Sequence, residues 1–208
     1  WVLEQYEFDY ELVFAQRLDR GNLARDFVVL VFADDALPAK GAWGESRPRK
    51  QPSRGDTPGE YRHMLGDITD EKTVPAIAEF VREGGAVVAL GSAGRLAQLL
   101  DTPLQPALAQ VVDGQFKPLD SKEFYIPGTI LRAKVDNAQP LAYGLPEEID
   151  IFFGGSQAFV PVDGESFDGA VSWFEGRGLV RSGWAIGEEK LAGAVAIADV
   201  DVGEGKLF

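Results

Sequence analysis

The sequence predicts a doubly wound α/β fold, a mostly parallel sheet flanked by helices, with additional strands in its second half. Residues 27–32 (FVVLVF) and 86–90 (AVVAL) are continuous apolar runs, the pattern of parallel strands buried on both faces. Between them, 73–83 (TVPAIAEFVRE) carries apolar residues at helical spacing. Glycines at 84–85 and 91 then punctuate helix, strand and the next helix, as alternating α and β units require. The chain has 208 residues, enough for a single domain over 1–208 with a substantial core.

Stretch 1–6 reads as the end of an amphipathic helix whose Trp1, Val2 and Tyr6 share a face, and 10–15 (YELVFA) as a short strand. Asp34 and Asp35 stand just past the end of 27–32. From about 39 to 69, Gly, Pro, Arg, Ser and Asp dominate without a period, so this is an irregular loop, functional or mobile. Thr73 is placed to N-cap the next helix, with Pro75 in its first turn and Ile77, Phe80 and Val81 as its buried stripe. Ser92 is placed to cap a second helix over 93–100, which stops before Pro103. Strands follow at 129–135, 151–153, 158–162 and 170–174. A terminal hairpin joins 194–201 to 206–208 through a turn at 202–205.

Composition excludes several functions. The net charge of −13 speaks against nucleic acid, which needs a broad cationic face. The basic cluster of Arg47, Arg49, Lys50 and Arg54 lies among Pro, Ser and Gly and reads as a solvated loop. No apolar run is long enough to span a bilayer, and no basic-then-apolar leader is visible. The chain begins at Trp1 and reads as a piece of a longer polypeptide, so the compartment, export included, stays unread.

The chain has no cysteine and a single histidine, His63, too few donors for a histidine- or cysteine-based zinc site. Asp34, Asp35, Asp67 and Asp70 lack calcium-loop spacing, and 199–205 (DVDVGEG) reads as an exposed hairpin rather than a cation loop. The glycine-flanked 183–187 (GWAIG) lacks dinucleotide-binding spacing. Ser92 stands where a strand turns into a helix, the position at which α/β hydrolases display a nucleophile. Leu90 occupies a place that motif reserves for a small residue, so an N-cap is the first reading of Ser92. A nucleophile served by His63 is the second. Asp34, Asp35 and Ser92 also outline a ligand pocket for a small molecule or saccharide at the C-terminal strand ends. Trp173 and Phe174 read as core; Trp184 reads first as core and second as a docking residue.

Several segments occur in a telling order: 1–8 (WVLEQYEF), 18–23 (LDRGNL) leading into 27–34, the 84–95 unit, 126–131 (IPGTIL), 140–144 (PLAYG) and 182–193 (SGWAIGEEKLAG). Together they resemble the C-terminal region of large bacterial zinc carboxypeptidases of the M14 type, the carboxypeptidase A-like group. That region is similar to the class I glutamine amidotransferase-like fold, a flavodoxin-like architecture. The resemblance implies that zinc, its two His and one Glu ligands and a catalytic Glu belong to an upstream peptidase domain that removes C-terminal residues. It also implies a strand before Trp1, and a strand and helix after Phe208. The amidotransferase elbow normally holds a Cys served by a downstream His and Glu. This chain has Gly91-Ser92-Ala93 there and no histidine after His63, so no catalytic residue carries over.

The leading expectation is therefore a non-catalytic ancillary domain of a zinc metallocarboxypeptidase, with the upstream peptidase domain or a second copy as partner. A stand-alone serine hydrolase using Ser92 and His63, or a small-molecule-binding module, are the alternatives.

Overall fold

The computed structural model describes residues 1–37, 51–154, 156–162 and 167–208. Two single helical turns open the chain, α1 (Val2–Gln5) and α2 (Ala15–Leu18). The turn α1 buries nothing, and Trp1, Val2 and Tyr6 are all exposed, so the expected shared face packs on no core. The strand expected over 10–15 is absent too. Residues 10–14 pair with no strand, and Ala15 opens α2. Aromatic and β-branched residues fit a pleated surface, but they make a strand only where a partner offers its backbone.

Next come β1 (Val29–Phe32), α3 (Thr73–Arg82) and β2 (Ala86–Ala89), with β1 and β2 parallel. Ile77, Phe80 and Val81 recur at helical spacing and are almost wholly buried, in one core with Leu30, Phe32 and Val87. Each such side chain taken out of water contributes roughly 1.5–3 kcal/mol. Thr73 is not the cap of α3 but its first residue. Its buried hydroxyl donates to Asp19 Oδ1 at 2.6 Å and accepts the Thr69 N–H at 3.0 Å, tying α3 to the end of α2. Beyond β2 a 3-10 turn (Gly91–Arg95) runs into α4 (Leu96–Leu99), shorter and tighter than the expected helix.

The chain then leaves this layer. It forms β3 (Leu104–Pro106), β4 (Ala109–Val112), β5 (Gln115–Pro118), β6 (Pro127–Val135), β7 (Glu148–Gly154), β8 (Phe159–Pro161), β9 (Ala170–Trp173), β10 (Val180–Ser182) and β11 (Val195–Ala198). Strands β4 and β5 form a separate ribbon. The others make a seven-stranded sheet in the order β10-β6-β9-β11-β8-β3, with β7 against β6, and every pairing in it is antiparallel. After Asp199 the chain returns as the hairpin β12 (Val200–Val202) and β13 (Gly205–Leu207). Strand β13 lies parallel to β2, giving a four-stranded sheet in the order β1-β2-β13-β12.

The molecule is thus mixed α/β but rich in antiparallel strands, and the mostly parallel sheet is corrected to three parallel strands. The reason lies in the connections and the pattern. Two-residue links such as the one between β4 and β5 can close only antiparallel hairpins. Strand β6 alternates buried and partly exposed residues, the signature of a sheet with one wet face. The expected burial of 27–32 on both faces is also corrected. Leu30 and Phe32 face the α3 layer, whereas Val29 is 49% and Val31 51% exposed.

A second core fills one side of the antiparallel sheet, around Leu131, Phe153, Phe174 and Leu191. Phe153 meets Phe124 and Phe174 edge-on at 6.1 and 6.0 Å. No helix among the described residues is long and apolar enough to cross a membrane.

Candidate functional site

Because β1 and β2 are parallel, the loops after them emerge side by side at one sheet end, the usual ligand position in α/β sheets. The first loop carries Asp34 and Asp35, the second Gly91 and Ser92, and hydrogen bonds clamp them together. Asp34 Oδ1 accepts the Ser92 N–H at 2.8 Å and the Asp35 N–H at 2.9 Å. Ser92 Oγ accepts the Asp35 N–H at 2.8 Å. The Ser92 N–H holds the Asp34 carboxyl below its ordinary value; partial burial opposes it, and the Ser92 hydroxyl and Asp35 N–H add to it.

The residue in the left-handed conformation at this elbow is Gly91, at φ +57°, not Ser92. A Cβ there would overlap the Asp34 side chain, so any side chain at the elbow position must displace that carboxylate as well as take up the left-handed backbone. Ser92 is one residue further on, and its hydroxyl braces the Asp35 amide rather than capping a helix, which corrects the N-cap reading.

The predicted site residues separate into distinct places. Asp34, Asp35 and Ser92 do come together. His63 does not join them: it lies exposed in the 3-10 turn Gly59–Met64, edge-on to Phe14 at 5.5 Å, and no hydrogen bond links it to Ser92. Gln16 fastens that turn through Nε2, which donates to the carbonyls of Arg62 at 3.0 Å and Leu65 at 2.7 Å. Asp67 accepts from Gln51, and Asp70 pairs with the buried Arg95. Among the described residues no three His, Cys, Asp or Glu side chains gather where they could hold a metal. The zinc set of two His and one Glu also does not fit a chain with one histidine that packs on an aromatic ring. Of the basic cluster, Arg47, Arg49 and Lys50 lie outside the described residues, and Arg54 is exposed.

In 199–205, Lys206 Nζ takes the place a cation would occupy, 2.9 Å from Asp199 Oδ1 and 2.8 Å from Asp201 Oδ1. This ion pair borders a cleft of about 390 Å³ that Gln139 and Asp168 also line. Phe174 is core as expected. Trp184 is 52% exposed, which corrects its core reading and leaves it open to a partner. Its carbonyl accepts from the Thr129 hydroxyl at 2.7 Å, and its ring leans on Tyr125 at 5.7 Å.

Sequence reasoning missed the larger concavity, a groove of about 1060 Å³ between β1 and the N-terminal segment. Neither cleft includes Asp34 or Ser92, so the expected pocket at the strand ends lies in neither. Signals for the groove were present as Phe8, Tyr10 and Leu12 alternating with the acids Asp9 and Glu11, but a strand explains that pattern equally well. No protein-family model, no curated protein and no solved structure matches this chain.

Proposed function

We propose that this chain is a non-catalytic ancillary domain that works by binding, within a zinc metallocarboxypeptidase whose peptidase domain lies upstream. Its role is domain packing, oligomerisation or substrate presentation. The observation that carries the reading is the elbow. The position that would present a nucleophile is Gly91, packed on the Asp34 carboxylate, and the neighbouring Ser92 hydroxyl accepts the Asp35 N–H and bonds Asp34. A serine needs a competent base in hydrogen-bond reach to become a nucleophile. No hydrogen bond links His63 to Ser92, and the Asp34 carboxyl that the Ser92 hydroxyl does meet is held below its ordinary value, which makes it a weak base.

The amidotransferase-like part of the reading draws on the β1-α3-β2 unit, the tight turn after β2 and the parallel placement of β13 beside β2. The carboxypeptidase part draws on the ordered segments quoted above. Zinc, when bound by the parent, would supply Lewis-acid chemistry in the upstream domain; this chain would hold that domain or its substrate in place.

The test is the full-length gene product. It should carry two His and one Glu upstream at zinc-ligand spacing and release C-terminal residues in a chelator-sensitive way, while this chain alone releases none. Chelator-sensitive turnover by the chain alone, or an upstream region without those ligands, overturns the proposal.

A further inference from the structure

The free edge of the four-stranded sheet is its least finished surface. Among the described strands, β1 pairs with β2 alone, through bonds that include those accepted by the Val28 and Phe32 carbonyls. In a parallel pair alternate residues bond to the same side, so the N–H and C=O of Val29 and Val31 point away from β2. No described strand pairs with them there. Their side chains lie on the face opposite α3, and Val28 beside them is 81% exposed. Natural edge strands are protected by charges, prolines or a covering element; β1 has no charge and no proline, and no described strand covers its edge.

The groove along this edge states what it would accept. Its other wall is the N-terminal segment, from which Phe8, Tyr10 and Leu12 present exposed apolar surface. Among the described residues, the charged side chains that line it are Asp9, Glu11 and Asp26. Asp26 is paired with Arg17, whereas Asp9 and Glu11 make no ion pair among the described residues. Unmet backbone groups call for an extended strand, the valines and aromatics for apolar side chains on one side of it, and the acids for cations on the other. A second copy fits poorly, because it would set Asp9 and Glu11 near their own counterparts.

We infer that the β1 edge binds an extended segment of another polypeptide, with apolar residues alternating with Lys or Arg, as an added strand. This rests on the reading of the chain as a binding domain and names the surface and the chemistry of its partner. Strand β1 spans about 13 Å at roughly 3.3 Å per residue, so the contact needs a segment of about five residues.

The test uses three labelled, end-blocked heptapeptides titrated against the purified chain by fluorescence anisotropy. One alternates Lys and Val, one alternates Glu and Val, and one has the composition of the first with its lysines and valines in separate blocks. The alternating Lys peptide should bind saturably and protect the Val29 and Val31 amides from hydrogen exchange. The blocked peptide should bind about tenfold more weakly, and the Glu peptide not at all. Glu11→Lys, in the irregular segment, and Val31→Lys, on the exposed face, should each weaken binding by about tenfold. Equal binding of alternating and blocked peptides, no binding, or indifference to both substitutions overturns the inference. So does a concentration-dependent dimer that Val31→Lys dissolves, since the occupant would then be a second copy. Turnover assayed in the same samples is a separate readout: failure to bind with no turnover removes this surface and leaves the non-catalytic reading standing.

Discussion

The two sheets bury one face each in similar ways, but the open face around Lys134 and Glu148 in one differs from the open face at the β1 edge of the other. The open face of the antiparallel sheet is laced with charge. Lys134 lies 2.8 Å from Glu148, its cross-strand partner, and Arg181 reaches Asp150 at 3.2 Å. Those pairs hold the Lys134 ammonium above and the Glu148 carboxyl below their ordinary values, each chiefly through the hydrogen bond to the other. Around these pairs the surface is complete in water, although further along the same face Phe152 is 67% exposed. The open face of the parallel sheet has one such pair at its β12 edge, Lys206 with Asp201 and Asp199, but at its β1 edge it offers Val29 and Val31, with Asp9 and Glu11 nearby making no ion pair among the described residues. A charged ladder marks a solvent face, whereas bare valines beside an unpaired edge mark a contact face.

The strongest way to probe this contrast is to show first that the buried faces are alike. Phe80→Ala in one core and Phe153→Ala in the other should each cost about 3–5 kcal/mol in chemical denaturation. A loss under about 1 kcal/mol at either site would mean that its core is not packed as described.

A smaller effect is expected at the clamp that joins the strand ends. Gly91→Ala forces a side chain into a left-handed position against Asp34, and should cost about 1–3 kcal/mol by the same measurement. Asp34→Asn should cost only about 1 kcal/mol at neutral pH, because the site is exposed and water replaces part of what is lost. Its signature is in the pH dependence. The folded-state value of Asp34 is lowered, so its contribution is complete above the ordinary value of 3.8 and fades as pH falls through the lower folded value. The Asn variant should lack that acid-side loss, and identical acid limbs would contradict the clamp.

The smallest effect belongs to the bare face. Val31→Lys should leave stability within about 0.5 kcal/mol of the parent, since the side chain has little to lose. A cost near that of Phe80→Ala would mean that the face is covered, and the contrast between the sheets would collapse.

Much of the architecture was legible in local pattern. The stripe of Ile77, Phe80 and Val81 and the turn at 202–205 are set by neighbours in sequence and both stand, although the hairpin arm expected over 194–201 is split into β11 and β12, which lie in different sheets. What was illegible depends on distant partners. Thr73 resembles a cap until Asp19, 54 residues away, claims its hydroxyl. Ser92 resembles a cap or a nucleophile until Asp35, 57 residues away, donates to it. The run 27–32 looks the same whether one face or both are covered, because a continuous apolar string carries no record of the layer that should lie on it. One local signal was overlooked. Asp113-Gly114 between two short apolar stretches is a two-residue hairpin turn, both residues have positive φ, and it joins β4 to β5.

That the chain binds and does not catalyse is tested most directly by comparing it with its Ser92→Ala variant. Both would be assayed on p-nitrophenyl esters and on unblocked peptides, with zinc and with chelator. The account predicts no turnover in either protein under either condition. Turnover in the parent that vanishes with Ser92→Ala, or that a chelator abolishes, would contradict it.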